Sequence, residues 1–266
     1  MKRLLTTSFP TKREELGGWL DAQWLKYESP EFIDSDPIQI PQSFTKKEDQ
    51  EISGFLAATI AWGQRKTIIN NAHSIVERMD QAPHDFILSA EDQDMKRLEG
   101  FVHRTFNDTD LLFFVASLRN IYRHHGGLET VFAHAITSKG QMGLAIAEFK
   151  KVFFSIEHPG RTTKHVADPT RGSSAKRINM YLRWMVRSKE KGVDLGIWNQ
   201  ISPSQLYVPL DVHTGNVARE LGLLTRKQND WKAVEELMEV LRSFDAEDPV
   251  KYDFALFGTG VFDRKP

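Results

Sequence analysis

The chain has 266 residues, of which 40% are hydrophobic and 11% aromatic, enough for a sizeable buried core. It contains no cysteine, which excludes disulfides, zinc–thiolate sites and cysteine-ligated iron–sulfur clusters and favours an intracellular setting. The net charge of −1 lacks the overall basic signature that is usual for nucleic-acid binding. Because the basic residues 1–5 are followed by no apolar run of signal-peptide length, we expect a soluble cytoplasmic protein without a membrane segment.

The first half of the chain shows the spacing of apolar residues that is typical of helices. A capping box at Thr45 and Glu48 predicts a helix start, and Gly63 predicts a break before the next helix. Residues 28–43 are predicted to be a loop, in which residues 37–40 form at most a short extended piece. The predicted helices of this half cover residues 12–27, 45–60, 66–79 and 108–122.

The second half is also predicted to be helical, after a break at Gly126 and Gly127. The predicted helices cover residues 128–136, 142–156, 173–188, 212–223, 231–244 and 249–257. Residues 159–172 form a loop with a basic bias, and no segment shows convincing strand alternation. The pattern predicts an all-α fold in which residues 1–266 form a single unit of two helical lobes around a cleft.

Charge is unevenly distributed along the chain. Residues 150–191 carry eleven Lys and Arg against three acids, a net +8. Residues 228–248 carry seven acids against Lys232 and Arg242. A basic segment of this kind can bind an anion even when the whole chain is close to neutral.

A tight turn at the start of a basic helix is the first candidate site. Arg171, Gly172 and Ser174 belong to this turn, where small residues let the backbone approach a phosphate at a helix N-terminus. Lys176 follows in the first helical turn. A lysine nucleophile has to be a neutral amine, and cationic neighbours, a helix N-terminus and burial favour that form. The alternative is an ordinary solvated lysine.

The helix after this turn carries two further basic residues. Arg183 and Arg187 follow Lys176 at spacings of seven and four residues, on the side opposite the apolar stripe. We therefore expect the three basic side chains to share a solvent-facing surface.

Asp211 and His213 form the second candidate site. Asp211 directly precedes a predicted helix, where an aspartate is a good N-cap, and the same position also orients a carboxylate toward a cleft. His213 can donate a hydrogen bond or contact a phosphate. No third ligand accompanies this pair, so no metal site is predicted.

Gln64 is the third candidate. It follows Gly63 at the turn between two predicted helices, beside two cations, and we expect it to be exposed. Such a residue can fill the gap that a flipped-out nucleotide leaves in duplex DNA. Without further context, an ordinary polar helix–helix turn is the favoured interpretation.

In residues and in order, the three sites resemble those of the helix-hairpin-helix (HhH-GPD) DNA glycosylase superfamily. Residues 172–179, Gly-Ser-Ser-Ala-Lys-Arg-Ile-Asn, are similar to its Gly-x-Gly-x-Lys-Thr-Ala-Asn hairpin, which puts Lys176 at the nucleophile position. Residues 210–217 are similar to the stretch that holds its catalytic aspartate, here Asp211. Gln64 resembles the polar residue that enters the DNA stack.

The spacing of 35 residues between Lys176 and Asp211 is nearest to the archaeal 8-oxoguanine glycosylase type, which has no iron–sulfur cluster. The hairpin and catalytic segment covers about residues 159–224. The chain also resembles a family of uncharacterised bacterial proteins that share the Lys-Arg-x-Asn-Met and Pro-Leu-Asp-x-His patterns.

The superfamily resemblance implies a monomeric, nucleoid-associated base-excision enzyme that needs no cofactor and acts on double-stranded DNA with a damaged base, such as 8-oxoguanine. Lys176 would attack the sugar and form a Schiff base, with Asp211 stabilising the positive charge and a lyase step following. The residues expected to contact DNA are Gln64, Arg171, Gly172, Ser174, Arg183, Arg187 and His213.

The sequence departs from the superfamily pattern at the hairpin. Ser174 replaces the second glycine, and Arg177 and Ile178 stand where Thr-Ala is usual. This departure favours one alternative, a DNA-binding protein that has lost its chemistry. The near-neutral net charge favours another, an enzyme acting on a free nucleoside or other anionic small molecule. Three aromatic residues are candidates for stacking on a base, although core packing is the favoured use of each: Trp62, Trp184 and Phe257.

Overall fold

The computed structural model describes residues 9–10 and 13–263. The helices of the first part are α1 (Arg13–Tyr27), α2 (Gln39–Gln42), α3 (Lys47–Thr59), α4 (Arg65–Arg78), α5 (Pro83–Ser89) and α6 (Asp92–Met95). An antiparallel hairpin follows, formed by β1 (Val102–His103) and β2 (Phe106–Asn107). The helices of the second part are α7 (Asp108–His124), α8 (Leu128–Lys139), α9 (Met142–Phe153), α10 (Lys176–Val186), α11 (Val212–Glu220), α12 (Trp231–Arg242) and α13 (Tyr252–Gly258). Short 3-10 turns connect several of them, at Pro30–Ser35, Gly160–His165, Pro169–Arg171 and Pro249–Lys251 among others.

The predicted all-α class is confirmed, and the strands of the described residues are confined to that one short hairpin. The long predicted helices are present with shifted ends. The first begins at Arg13, while Lys12 and residues 1–5 lie outside the described residues. Helices α5 and α6 were not predicted. No helix in the described part of the chain combines the length and apolar character that a membrane span requires.

Two local predictions near the start of the chain are wrong. The N-cap of α3 is Lys46 without a side-chain cap, so Thr45 and Glu48 form no capping box. Residues 37–38 form a turn and residues 39–40 begin α2, so this piece is not extended. The fixed φ of Pro37 suits a helix start, and the Asp36 carboxylate accepts a hydrogen bond from the backbone N–H of Ile38 at 3.0 Å.

Helix α10 lies in the centre of the fold and packs against α3. All its residues from Ile178 onward are buried. Around it lie stacked and edge-packed rings, including Tyr181 against Phe55 at 5.5 Å and against Trp198 at 5.5 Å. The buried apolar residues of the described chain form one cluster. The division into two helical lobes stays a prediction.

The first and last helices of the described chain pack against each other, α1 against α13. Gly258 makes this approach possible, because a Cβ atom there would lie 2.2 Å from the ring of Tyr27. An ion pair between Lys26 and Asp263, 2.8 Å from Nζ to Oδ1, links the two regions further. This closure brings residues near the start of the chain beside α13, where the candidate site lies.

Candidate functional site

A cavity of about 530 Å³ lies where α10, α11 and α13 meet the segments around Asp36 and Trp62. Its size is in the range of small-molecule and cofactor sites. Its walls combine aromatic rings with a group of charged side chains. The lining residues are Phe32, Asp36, Pro37, Ala61, Trp62, Gly63, Arg65, Ile68, Lys176, Arg177, Met180, Arg183, Pro209, Asp211, Val212, His213, Asp253 and Phe257.

Lys176 is the first residue of α10, and its half-buried side chain lines the cavity. The turn before it is fixed by Asn179, whose side-chain amide donates to the carbonyl of Ser174 at 3.1 Å. Ala175 has a left-handed backbone, with φ of 49°, which reverses the chain directly before the lysine. Among the described residues, the ammonium of Lys176 has no hydrogen-bond or ion-pair partner, so it is available to a ligand.

Asp211 is both a helix cap and a cavity residue. Its Oδ1 accepts a hydrogen bond from the backbone N–H of Thr214 at 3.0 Å, so the predicted N-cap is confirmed. Asn229 fixes the same turn by donating to the Asp211 carbonyl at 2.9 Å. The carboxylate is half-buried and lines the same cavity as Lys176. Two residues 35 positions apart in sequence are thereby brought to one site.

His213 and three aromatic rings complete the description of the predicted site. His213 is exposed and lines the cavity, with its ring edge-on to Phe257 at 6.1 Å. Trp62 is half-buried and also lines the cavity. Trp184 is fully buried in the core, so only Trp62 and Phe257 among the three proposed stacking residues can reach a ligand.

Two carboxylates that sequence reasoning missed also line the cavity, Asp253 and Asp36. Burial raises the pKa of Asp253 to about 6 against the opposing effect of Arg183, and the neighbouring Asp211 raises it further. Burial likewise raises the pKa of Asp36, although Arg183 opposes it. A signal for Asp253 exists in the sequence, because it is a lone charge within the apolar run of α13.

Arg183 and Arg187 are not on a solvent-facing surface, and that prediction is wrong. Each is only 3% exposed. Arg183 donates to Asp253 at 2.6 Å, and Arg187 donates to Asp194 at 2.6 Å. Glu28 and Asp248 also accept from Arg187, at 2.7 and 2.9 Å. Helical spacing predicts which residues share a side of a helix, but segments far away in sequence cover that side with acids.

The predicted phosphate-binding turn lies outside the cavity lining. Arg171 and Gly172 are exposed, and Gly172 has a left-handed backbone with φ of 89°. Its carbonyl accepts from the backbone N–H of Trp231 at 3.2 Å, and Ser173 pairs with Asp230 in an isolated β-bridge. The hydroxyl of Ser174 donates to the Leu210 carbonyl, at a long 3.4 Å. The turn thus anchors α10 to the start of α12, and its contact with DNA stays a prediction.

Gln64 is exposed, as predicted, at the N-cap of α4. Its neighbours Gly63 and Arg65 line the cavity. The guanidinium of Arg65 lies over the ring of Phe257 at 5.2 Å. Gln64 is therefore placed next to the cavity, and its role in a DNA stack stays a prediction.

Arg177 stands where the resemblance would place threonine. Its guanidinium lies over the Trp62 ring at 4.7 Å and donates to the Thr59 carbonyl. Burial lowers the pKa of Arg177 to about 10. The residue fixes the orientation of Trp62 at the cavity wall.

Within the described chain, no group of three His, Cys, Asp or Glu residues has a geometry that could hold a metal ion. Asp211 and His213 line one cavity but belong to no such group.

Residues 36–262 match the family described as Protein of unknown function (DUF2400). No curated protein and no solved structure shows a significant match. The expected resemblance to an uncharacterised family is thus confirmed, while the HhH-GPD resemblance gains no support from these matches. With most of its length covered, the chain belongs to the DUF2400 family.

Proposed function

We propose that this protein is a DNA base-excision glycosylase with lyase activity, in which Lys176 is the nucleophile. The observation that carries the proposal is the meeting of Lys176 and Asp211 in one cavity, each at the start of a helix. An amine without a partner, in the same cavity as a fixed carboxylate, suits attack on the sugar carbon of a damaged nucleotide.

In this mechanism the amine of Lys176 attacks C1′ as the base leaves. Asp211, held by its capping hydrogen bond, stabilises the positive charge that develops on the sugar. The resulting Schiff base then permits β-elimination at the 3′ phosphate. Each step uses side chains that line the cavity and requires no cofactor.

The cavity suits a base extruded from a duplex. A volume of about 530 Å³ accommodates a nucleoside, and the rings of Trp62 and Phe257 line it, each with an arginine guanidinium over one face. An oxidised purine such as 8-oxoguanine is the substrate we favour, because the lysine-to-aspartate spacing is nearest to that glycosylase type.

The DNA-contacting set is smaller than the sequence suggests. Gln64, Arg171, Gly172 and His213 are exposed and remain candidates for backbone or stack contacts. Arg183 and Arg187 are excluded from this set by their burial. Ser174 remains a candidate only if its hydroxyl gives up the contact with the Leu210 carbonyl.

Borohydride trapping tests the proposal. The wild-type protein is incubated with duplexes containing 8-oxoguanine, uracil, an abasic site or no lesion, and covalent complexes are resolved on denaturing gels. We expect a complex with at least one lesion and with the abasic site, and none with Lys176→Gln. Lys232→Gln is the matched control, because Lys232 is exposed on α12 and lies outside the cavity lining.

A trapped complex with Lys176→Gln as strong as with wild type would remove the lysine assignment. No trapping with any substrate would overturn the glycosylase proposal.

A second candidate is an enzyme acting on a free nucleoside or other anionic small molecule. The burial of Arg183 and Arg187 favours it, since it removes two charges from the surface available to DNA. Salt titration separates the two, because binding of a duplex weakens steeply with salt while binding of a small ligand carrying one charge weakens little. A DNA-binding protein without chemistry would show the steep salt dependence and no trapping.

A further inference from the structure

The three aspartates that line the cavity differ in the hydrogen bonds that their carboxylate oxygens accept. Asp211 caps a helix, and Asp253 accepts from Arg183 at 2.6 Å and from the Thr214 hydroxyl at 3.5 Å. Asp36 accepts only the Ile38 N–H on Oδ1. Its Oδ2 has no hydrogen-bond or ion-pair partner among the described residues, although the side chain lines the cavity. Asp36 therefore has a free oxygen to offer a ligand.

The surroundings of Asp36 favour the protonated acid. The residue is 7% exposed, and Phe32 and Pro37 line the cavity beside it. Burial raises the pKa of Asp36 and outweighs the opposing charges of Arg183, Arg65 and Lys176. A buried carboxyl group whose pKa is raised, and which has a free oxygen in the cavity, is suited to act as a hydrogen-bond donor or as an acid.

We propose that Asp36 is the acid that protonates the base as it leaves the sugar. The proposal rests on the glycosylase function proposed above and adds a catalytic residue to it. Lys176 and Asp211 act on the sugar, whereas Asp36 comes from a separate segment, between Pro30–Ser35 and α2, and acts on the base.

The atoms and charges of this step balance within the site. The nitrogen of Lys176 forms a bond to C1′, and the bond from C1′ to the base breaks. Its electron pair goes to the base, which takes the proton of the Asp36 carboxyl group and leaves uncharged. The Lys176 nitrogen, which now carries an extra proton, returns one proton to the Asp36 carboxylate. Until then, the Ile38 N–H and the nearby cations stabilise that carboxylate.

The test compares two reactions of one protein. Release of a base needs an acid, whereas trapping on a preformed abasic site needs Lys176 but has no base to release. Asp36→Asn keeps the acceptor for Ile38 but cannot deliver the proton. Asp34→Asn is the matched control, because Asp34 is exposed in the same segment and is absent from the cavity lining. Base release is followed by chromatography on the lesion duplex that the wild type processes best.

We expect Asp36→Asn to slow base release by about 10²- to 10⁴-fold while trapping on the abasic duplex stays at the wild-type level. Asp34→Asn should leave both reactions unchanged. Wild-type base release by Asp36→Asn, or an equal loss of both reactions, would overturn the role of Asp36 and leave Lys176 untouched. A wild-type protein that traps on abasic DNA but releases no base would overturn both the acid role and the glycosylase step, and would leave only a lyase that uses Lys176. Failure of the wild type on every duplex would overturn the proposed function itself.

Discussion

The two ends of α10 carry the same kind of side chain in opposite situations. At its start, Lys176 lines an open cavity without an ion-pair partner among the described residues. At its end, Arg187 is 3% exposed and is bound by three acids, Glu28, Asp194 and Asp248. A buried charge surrounded by acids holds segments together, whereas a cation left without a partner is available for chemistry. The presence or absence of ion-pair partners distinguishes Arg187 from Lys176, whereas the residue type and the helical spacing do not.

The largest expected effect comes from breaking the structural end of the helix. Arg187→Ala leaves the buried carboxylates of Glu28 and Asp194 without their main partner, so we expect it to lower the free energy of unfolding by about 3–5 kcal/mol. Lys176→Ala, in contrast, should change it by no more than about 0.5 kcal/mol. Urea denaturation of both variants measures the difference. Equal losses for the two variants would mean that Lys176 is also a structural residue.

A second expected effect concerns Asp253, which lines the cavity and pairs with Arg183 of α10. Its pKa of about 6 lies above the ordinary value of 3.8, so the folded protein binds the proton more tightly than the unfolded chain. The stabilisation from protonation is therefore complete below pH 4 and is lost as the pH rises through 6. This group should lower the stability of the wild type by roughly 2–3 kcal/mol across that window.

Asp253→Asn removes this titration. Urea denaturation at several values between pH 4 and pH 7 should therefore show a smaller decline for the variant than for the wild type. Parallel curves for the two proteins would show that Asp253 does not titrate in this range. Asp34→Asn, an exposed change near the cavity, is a suitable control for the general effect of removing one carboxyl group.

The smallest expected effect on stability concerns Asp211, where two variants distinguish a helix-capping role from a catalytic one. Asp211→Ala removes the acceptor for the Thr214 N–H and should cost about 0.5–2 kcal/mol of stability. Asp211→Ser keeps a capping oxygen and should retain most of that stability. Under the proposed mechanism, both variants lose base release and trapping. Retained activity in the serine variant would restrict Asp211 to its structural role.

Much of the helical architecture could be predicted from local pattern. The apolar spacing of residues 108–122 and 231–244 predicts helices that the structure contains. This prediction succeeds because the spacing that indicates an amphipathic helix depends only on residues close together in sequence. The turn before Lys176, the cap position of Asp211 and the motif resemblance indicate both residues, and the structure places both at one cavity. Their catalytic roles stay predictions.

Other features depend on contacts between distant parts of the chain. The burial of Arg187 depends on Glu28, 159 residues earlier in the sequence. Asp36 lines the cavity together with residues of α13, and its segment lies between α1, which packs against α13, and α2, which packs against α3. The spacing of apolar residues within one segment carries no information about contacts with distant segments. The acids of the cavity and the arginine network therefore could not be predicted from that spacing.

The packing of α1 against α13 also determines when, during synthesis of the chain, the cavity can form. The ion pair between Lys26 and Asp263 spans 237 positions, and α13 contributes Asp253 and Phe257 to the cavity. A ribosome therefore releases the early wall of the cavity long before it has synthesised the late one. Contacts this far apart in sequence form slowly, because a long loop must close before they gain any stability. Lys176 consequently remains without its complete pocket until α13 has been synthesised.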